Sequence, residues 1–202
     1  MKQKFLNYSL SLIHTYYPDY DDIKLAELRY GLEGFYLSIS KVIVIFALAI
    51  ILGIFKEMLL MLIIFNILRT TGFGLHATKS WICLLSSSSI FLIFPMIAKF
   101  VTIPFIVKLL LAIVSIVCIF LYAPADTKKR PIIKQKKREM YKFITTISCI
   151  WLNIIALVVN NSILSNLIIF GIYTEVIMIL PITYKLFHLS YNNYENYILQ
   201  TD

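Results

Sequence analysis

The sequence predicts an all-α, polytopic integral membrane protein, with about six transmembrane helices and amphipathic helices at its N-terminus. Three observations predict it. Of 202 residues, 59% are hydrophobic and 15% charged, where soluble domains carry about 25% charged residues. Mean hydropathy is +0.81. The apolar residues fall into runs near the length a span needs, about 20 residues, and the basic residues gather between runs rather than within them. The chain reads as one membrane domain: interfacial helices over 1–35, four spans over 37–122, a basic cytoplasmic loop over 123–142, two spans over 143–187 and a polar tail over 188–202.

Residues 1–35 lack the short apolar core and small-residue cleavage site of a secretory signal. Lys2 and Lys4 alternate with Phe5, Leu6, Leu10, Leu12 and Ile13 at helical spacing, which predicts a helix lying on the membrane surface. Pro18 and Asp19 to Asp22 supply a turn and an N-cap, and a second amphipathic helix with Lys24, Glu27, Arg29 and Glu33 follows. His14 reads as an interfacial residue. The first span covers 37–55, and Lys56 and Glu57 mark its far end. The apolar run 58–68 is too short alone, so it is either broken or completed by the residues after it. Non-helical backbone at that depth is tolerated only when buried in protein or facing a wet cavity.

The third span, 81–98, carries Ser86 to Ser89. These serines mark close helix packing, or else Ser86 or Ser87 lines the site. The fourth span, 103–122, holds Lys108, expected to snorkel outward. The fifth and sixth, 143–160 and 163–186, carry Asn153 and Glu175, and Pro181 is expected to bend the last. An ionisable residue in a span is a functional candidate by default, though Glu175 would also serve simply to pair with another helix. Cys118 and Cys149 lie in apolar runs and read as small hydrophobes. No cofactor is implied, and no cysteine–histidine spacing suits a metal.

Eight cations stand between Lys128 and Lys142: Lys128, Lys129, Arg130, Lys134, Lys136, Lys137, Arg138 and Lys142. This is a positive-inside signal. It would also attract anionic lipid or an acidic peptide. No nucleic-acid-binding fold flanks it. With this run inside and six spans, both termini and residues 69–80 are also cytoplasmic. Of the 19 Lys and Arg, only Lys56, Lys99 and Lys108 then fall outside, leaving 16 inside.

Chemistry concentrates in residues 69–83, where Arg69, Gly72, Gly74, His76, Lys79 and Cys83 crowd together. A thiol near pKa ~8.5 becomes a competent nucleophile when an imidazole or cation favours its thiolate. His76 is the candidate base and Cys83 the candidate nucleophile. On an unbroken helix the two would lie roughly 10 Å apart along the axis, too far for a hydrogen bond of about 3 Å. A catalytic pair therefore requires the helix to break between Gly72 and Trp81. The bland alternative is that Cys83 packs as a small apolar residue.

The pattern Arg69-x-x-Gly72-x-Gly74-x-His76-Ala77, followed by Cys83, resembles the signature of the accessory gene regulator B (AgrB) family of membrane cysteine peptidases. Arg29 to Glu33 resembles a segment before that family's first span, and Tyr122 to Pro131 resembles its post-span loop. The resemblance covers nearly the whole chain. It implies a peptidase that cuts an AgrD-like propeptide and helps cyclise a quorum-sensing peptide, with His76 and Cys83 in the catalytic positions. It also implies a homodimer. Arg69 would bind a substrate carboxylate or order the loop. N–H groups around Gly72 and Gly74 are candidate oxyanion donors, and Glu33 is the first candidate for an orienting carboxylate. Lys128, Lys129, Arg130, Lys134, Lys136, Lys137 and Arg138 are candidate substrate-binding cations. The competing class is a non-catalytic membrane transporter or assembly factor, with the basic run binding lipid or a partner.

Overall fold

The computed structural model describes residues 2–75, 80–128 and 131–195, and only the backbone of Ser80 and Cys83. Among these residues there are eight helices and no strand, so the protein is all-α. It falls into two compact units, Met1–Leu48 and Ala49–Asp202.

In the first unit, α1 (Lys2–Tyr16) is the amphipathic helix expected at the N-terminus. Its Leu6 is buried, while Tyr8, Leu12 and Tyr16 are exposed. The turn after Pro18 ends at Asp21, whose carboxylate accepts from the Lys24 N–H at 2.8 Å. This is the expected N-cap, which satisfies a donor that the first helical turn leaves free. α2 (Asp22–Ile51) then runs 30 residues without interruption, about 45 Å at the helical rise. The second amphipathic helix and the first span are thus one rod: no Pro separates them, and Ser38 and Ser40 donate back to the Gly34 and Tyr36 carbonyls instead of capping a new helix. Glu33 pairs with Lys2 at 2.6 Å, and the Phe5 and Tyr36 rings meet at 5.3 Å.

In the second unit, α3 (Phe55–Gly72), α4 (Ser80–Phe100), α5 (Phe105–Tyr122) and α6 (Gln135–Val158) surround α7 (Ser162–Ile179), which packs against all four. α3 buries Met58, Met61, Ile64, Phe65, Leu68 and Gly72, the repeat of a single helix face. Gly171 lets α3 come close to α7, since a Cβ there would stand 2.7 Å from Ile64 Cγ2. α7 is buried nearly all round, so its polar residues must find partners in other helices. Asn166 donates to the Ala98 and Val101 carbonyls at the end of α4, at 3.2 and 2.7 Å. Lys108 does not snorkel outward: its ammonium donates to Ser165 Oγ on α7 at 2.7 Å. Lys99 and Glu57 tie α4 to the start of α3 at 3.3 Å.

By length and composition, α2, α5, α6 and α7 can each cross a membrane. α3 carries Lys56, Glu57 and Arg69, and the apolar part of α4 is Leu84–Phe100. Pro181 does not bend a continuing helix. α7 stops at Ile179, and Pro181 opens the short α8 (Pro181–Leu186), where its missing N–H costs nothing.

Candidate active site

The run 58–68 is completed by Arg69 to Gly72, and α3 stops there. Phe73 (φ 60°) and Gly74 (φ 91°) turn the chain sharply, and α4 begins at Ser80. The helix break required between Gly72 and Trp81 is therefore present. His76 and Lys79 lie outside the described residues. Cys83 is in the first turn of α4.

Residues 72–75 form a strap held from three sides. The Gly74 N–H donates to the Ala125 carbonyl at 2.7 Å, and the Ala125 N–H returns a bond to the Gly72 carbonyl at 3.0 Å. The Leu75 N–H donates to the Met178 carbonyl near the end of α7 at 2.8 Å. Phe73 N–H donates to the Arg69 carbonyl. Those donors are engaged within the protein, so the strap N–H groups of Phe73, Gly74 and Leu75 are not free to serve as an oxyanion hole. The glycines do steric work instead. A Cβ on Gly72 would stand 2.6 Å from Glu175 Oε1, and one on Gly74 would stand 2.6 Å from Arg69 Nη1 and 2.8 Å from the Met178 carbonyl oxygen.

Arg69 closes the strap on the remaining side. Its Nη1 donates to the Phe73 carbonyl. Its Nη2 donates to the carbonyls of Gly74 at 3.2 Å and Leu75 at 2.6 Å. One guanidinium thus gathers three successive carbonyls immediately before His76, reaching them from two nitrogens of its planar five-donor fork. Its counter-charge is Glu175 on α7, with Oε2 3.6 Å from Nη1 and the carboxylate wholly buried. Neither Glu175 oxygen has a hydrogen-bond partner within normal range. Of the two roles open to Arg69, loop ordering is the one its contacts fill. Sequence reading had marked Glu175 as an ionisable residue in a span but had no means of pairing it with Arg69.

The loop after α5 supports the same strap. Tyr184 donates to the carbonyls of Ala125 (3.2 Å) and Asp126 (3.1 Å). Burial pushes the Tyr184 phenol well up, so it keeps the proton it donates. Asp126 is buried and accepts from the N–H groups of Asn193 at 2.8 Å and Tyr194 at 2.9 Å. It therefore fastens the C-terminal segment to this loop. The sequence offered Asp126 only as one residue of Tyr122 to Pro131, with no role of its own.

The other expected site residues lie elsewhere. Glu33 is paired with Lys2 in the first unit. The basic run is not all loop: Lys136, Lys137, Arg138 and Lys142 stand on the first two turns of α6. Lys128, Lys134, Lys136 and Lys137 are exposed and Arg138 is half-buried, while Lys129 and Arg130 lie outside the described residues. Cys118 and Cys149 are free thiols within α5 and α6. Cys149 accepts from Asn153 Nδ2 at 3.3 Å, a packing role.

An AgrB-like protein of Clostridium acetobutylicum is 32% identical over 174 residues, covering 86% of this chain and 83% of that protein. An AgrB-like protein of Listeria innocua is 33% identical over 88% of this chain and 87% of its own length. The accessory gene regulator protein B of Staphylococcus aureus is 33% identical over 80% of this chain and 85% of its own length. No solved structure matches. The family profile of accessory gene regulator B spans residues 7–179, and the chain is a membrane protein belonging to that family.

Proposed function

We propose that the protein is a membrane-embedded cysteine endopeptidase. It removes the C-terminal tail of an AgrD-like quorum-sensing propeptide through a thioester on Cys83 and promotes cyclisation of the remainder. The observation that carries this reading is the strap. A half-buried Arg69 gathers the carbonyls of residues 73–75 directly before His76, and Cys83 follows in the first turn of the next helix. A helix N-terminus favours a thiolate, as does a nearby imidazole.

In this mechanism His76 takes the Cys83 thiol proton, and the sulfur attacks a substrate carbonyl. The C–N bond breaks and the leaving amine takes the proton back from His76. A thiol or hydroxyl within the substrate then attacks the thioester carbon. The C–S bond to Cys83 breaks and the nucleophile's proton passes through His76 to the sulfur, which closes a thiolactone or lactone and restores the Cys83 thiol. The charge distribution supports a cell-membrane location with both termini and the site on the cytoplasmic side, where a newly made propeptide is available. The exposed cations Lys128, Lys134, Lys136 and Lys137 suit an acidic substrate tail, together with Lys129 and Arg130. Glu33 is retained as a supporting carboxylate, and a homodimer follows the family resemblance.

The test is cleavage of a propeptide by purified protein in lipid. Cys83→Ala and His76→Ala should each abolish cleavage while inserting normally, whereas Cys118→Ala and Cys149→Ala should cut as wild type. An unassisted thiol is only a few per cent ionised at neutral pH. Wild-type cleavage by Cys83→Ala refutes the proposal.

A further inference from the structure

A cavity of about 600 Å³ opens where α5 ends and α6 begins. Its walls are the α5 terminus at Leu121 and Tyr122, the first turns of α6 at Arg138 and Lys142, and the C-terminal segment at Tyr191 and Tyr194. The last wall is fixed in place. Asp126 binds the N–H groups of Asn193 and Tyr194, and the Tyr191 hydroxyl donates to the Tyr122 carbonyl at 3.3 Å.

The charge in this cavity is net positive, with Arg138 and Lys142 against one carboxylate, Glu139. The Arg138 guanidinium stacks over the Tyr194 ring, 3.0 Å from its centroid, and its buried Nη1 has no acceptor. Lys142 lies over the Phe120 ring at 4.5 Å. Among the described residues neither cation has an ion-pair partner. Glu139 also lines the cavity and keeps its negative charge while accepting from Gln135 at 3.0 Å, which leaves one positive charge in excess. Burial pushes Tyr191 up to about 12, so it remains a neutral hydroxyl at physiological pH. Two cations, one of them with a donor that lacks an acceptor, suit a phosphodiester anion better than a neutral group.

The surroundings select the source of that anion. α5 has 18 residues, so its end falls near the edge of a hydrocarbon core about 30 Å thick. Beside the opening, Phe120, Leu121 and Phe143 are each more than half exposed, an apolar surface suited to acyl chains. A soluble phosphate or a peptide carboxylate would use the cations and leave that surface bare. We propose that this cavity holds the headgroup of an anionic glycerophospholipid, its phosphodiester between Arg138 and Lys142 and its chains along the outer faces of α5 and α6. This claim does not depend on peptidase activity. It also divides the basic run, since Lys134, Lys136 and Lys137 point to solvent while Arg138 and Lys142 line the cavity.

Native mass spectrometry of the full chain, released from micelles doped with phosphatidylglycerol or phosphatidylcholine, tests it. One phosphatidylglycerol should be retained in preference to phosphatidylcholine. A cation near anionic lipid strengthens binding about fivefold, so Arg138→Gln with Lys142→Gln should weaken retention about 30-fold. Lys134→Gln with Lys137→Gln removes the same charge outside the cavity and should leave retention unchanged. Lys142→Gln alone, at a partly exposed position, should weaken retention about fivefold, which keeps the test decisive if the double variant fails to fold. Equal retention of both lipids, an equal loss in the Lys134/Lys137 variant, or displacement of the lipid by glycerol phosphate or an acidic peptide would each overturn the proposal.

Discussion

Replacing Arg69, Glu175 or both with Leu separates the stability of the strap from its function. Glu175 is wholly buried, and Arg69 is its nearest counter-charge, one-fifth exposed. Removing Arg69 leaves a carboxylate with no charge partner in the interior, a change that costs about 3–5 kcal/mol. It also removes the donors of three carbonyls, each bond to a charged group contributing about 1.5–3 kcal/mol in comparable cases. Removing Glu175 is milder, because the guanidinium keeps its three carbonyl acceptors and partial contact with the surface. The double variant has no orphaned carboxylate, and an apolar replacement of a buried pair is often neutral. The double variant should therefore be more stable than Arg69→Leu by about 3 kcal/mol, yet equally unable to cleave propeptide, because residues 73–75 have lost their clamp. Unfolding by SDS titration in mixed micelles, followed by the fluorescence of Trp81 and Trp151, measures the first quantity, and propeptide cleavage measures the second. If the two single effects add within about 0.5 kcal/mol, the groups are not coupled. If the double variant cleaves normally, the clamp does not position the site.

Three further outcomes follow from the same geometry. Gly74→Ala should abolish cleavage in protein that still inserts, because a residue at φ 91° is strained, by about 1–3 kcal/mol, and its Cβ meets the Met178 backbone; wild-type cleavage rates would show that the strap tolerates movement. Gln at Lys134, Lys136 and Lys137 together should weaken binding of an acidic-tailed peptide and flatten its salt dependence, since exposed charges act over roughly 8–10 Å at physiological salt; an unchanged salt response in correctly inserted protein would leave these residues with topology alone. Purified protein in lipid should convert propeptide mainly to a cyclic product, since an oriented internal nucleophile reaches effective molarities of about 10⁵ M or more; mass spectrometry showing only linear acid would make the protein a simple hydrolase.

What the sequence determined by itself is local. Apolar run length decided that α2, α5, α6 and α7 are span-length helices, because a helix in hydrocarbon satisfies its own backbone and needs only side chains that tolerate lipid. The Asp19 to Asp22 cluster marked the start of α2, since a cap acts within one turn. The two glycines and Arg69 marked the segment before His76, because a positive φ and a close backbone approach both favour glycine. The tertiary structure decided the pairings. Arg69 meets Glu175 only because α3 lies against α7 in one register, with Gly171 permitting the approach. Lys108 turns to Ser165 for the same reason: a buried partner one helix away outweighs a route to water. Asp126 carried no role of its own in the sequence, yet it is a buried acceptor for the N–H groups of Asn193 and Tyr194. Such contacts join residues far apart in the chain, and which of several carboxylates or cations finds a partner depends on helix packing, which residue type and spacing do not encode.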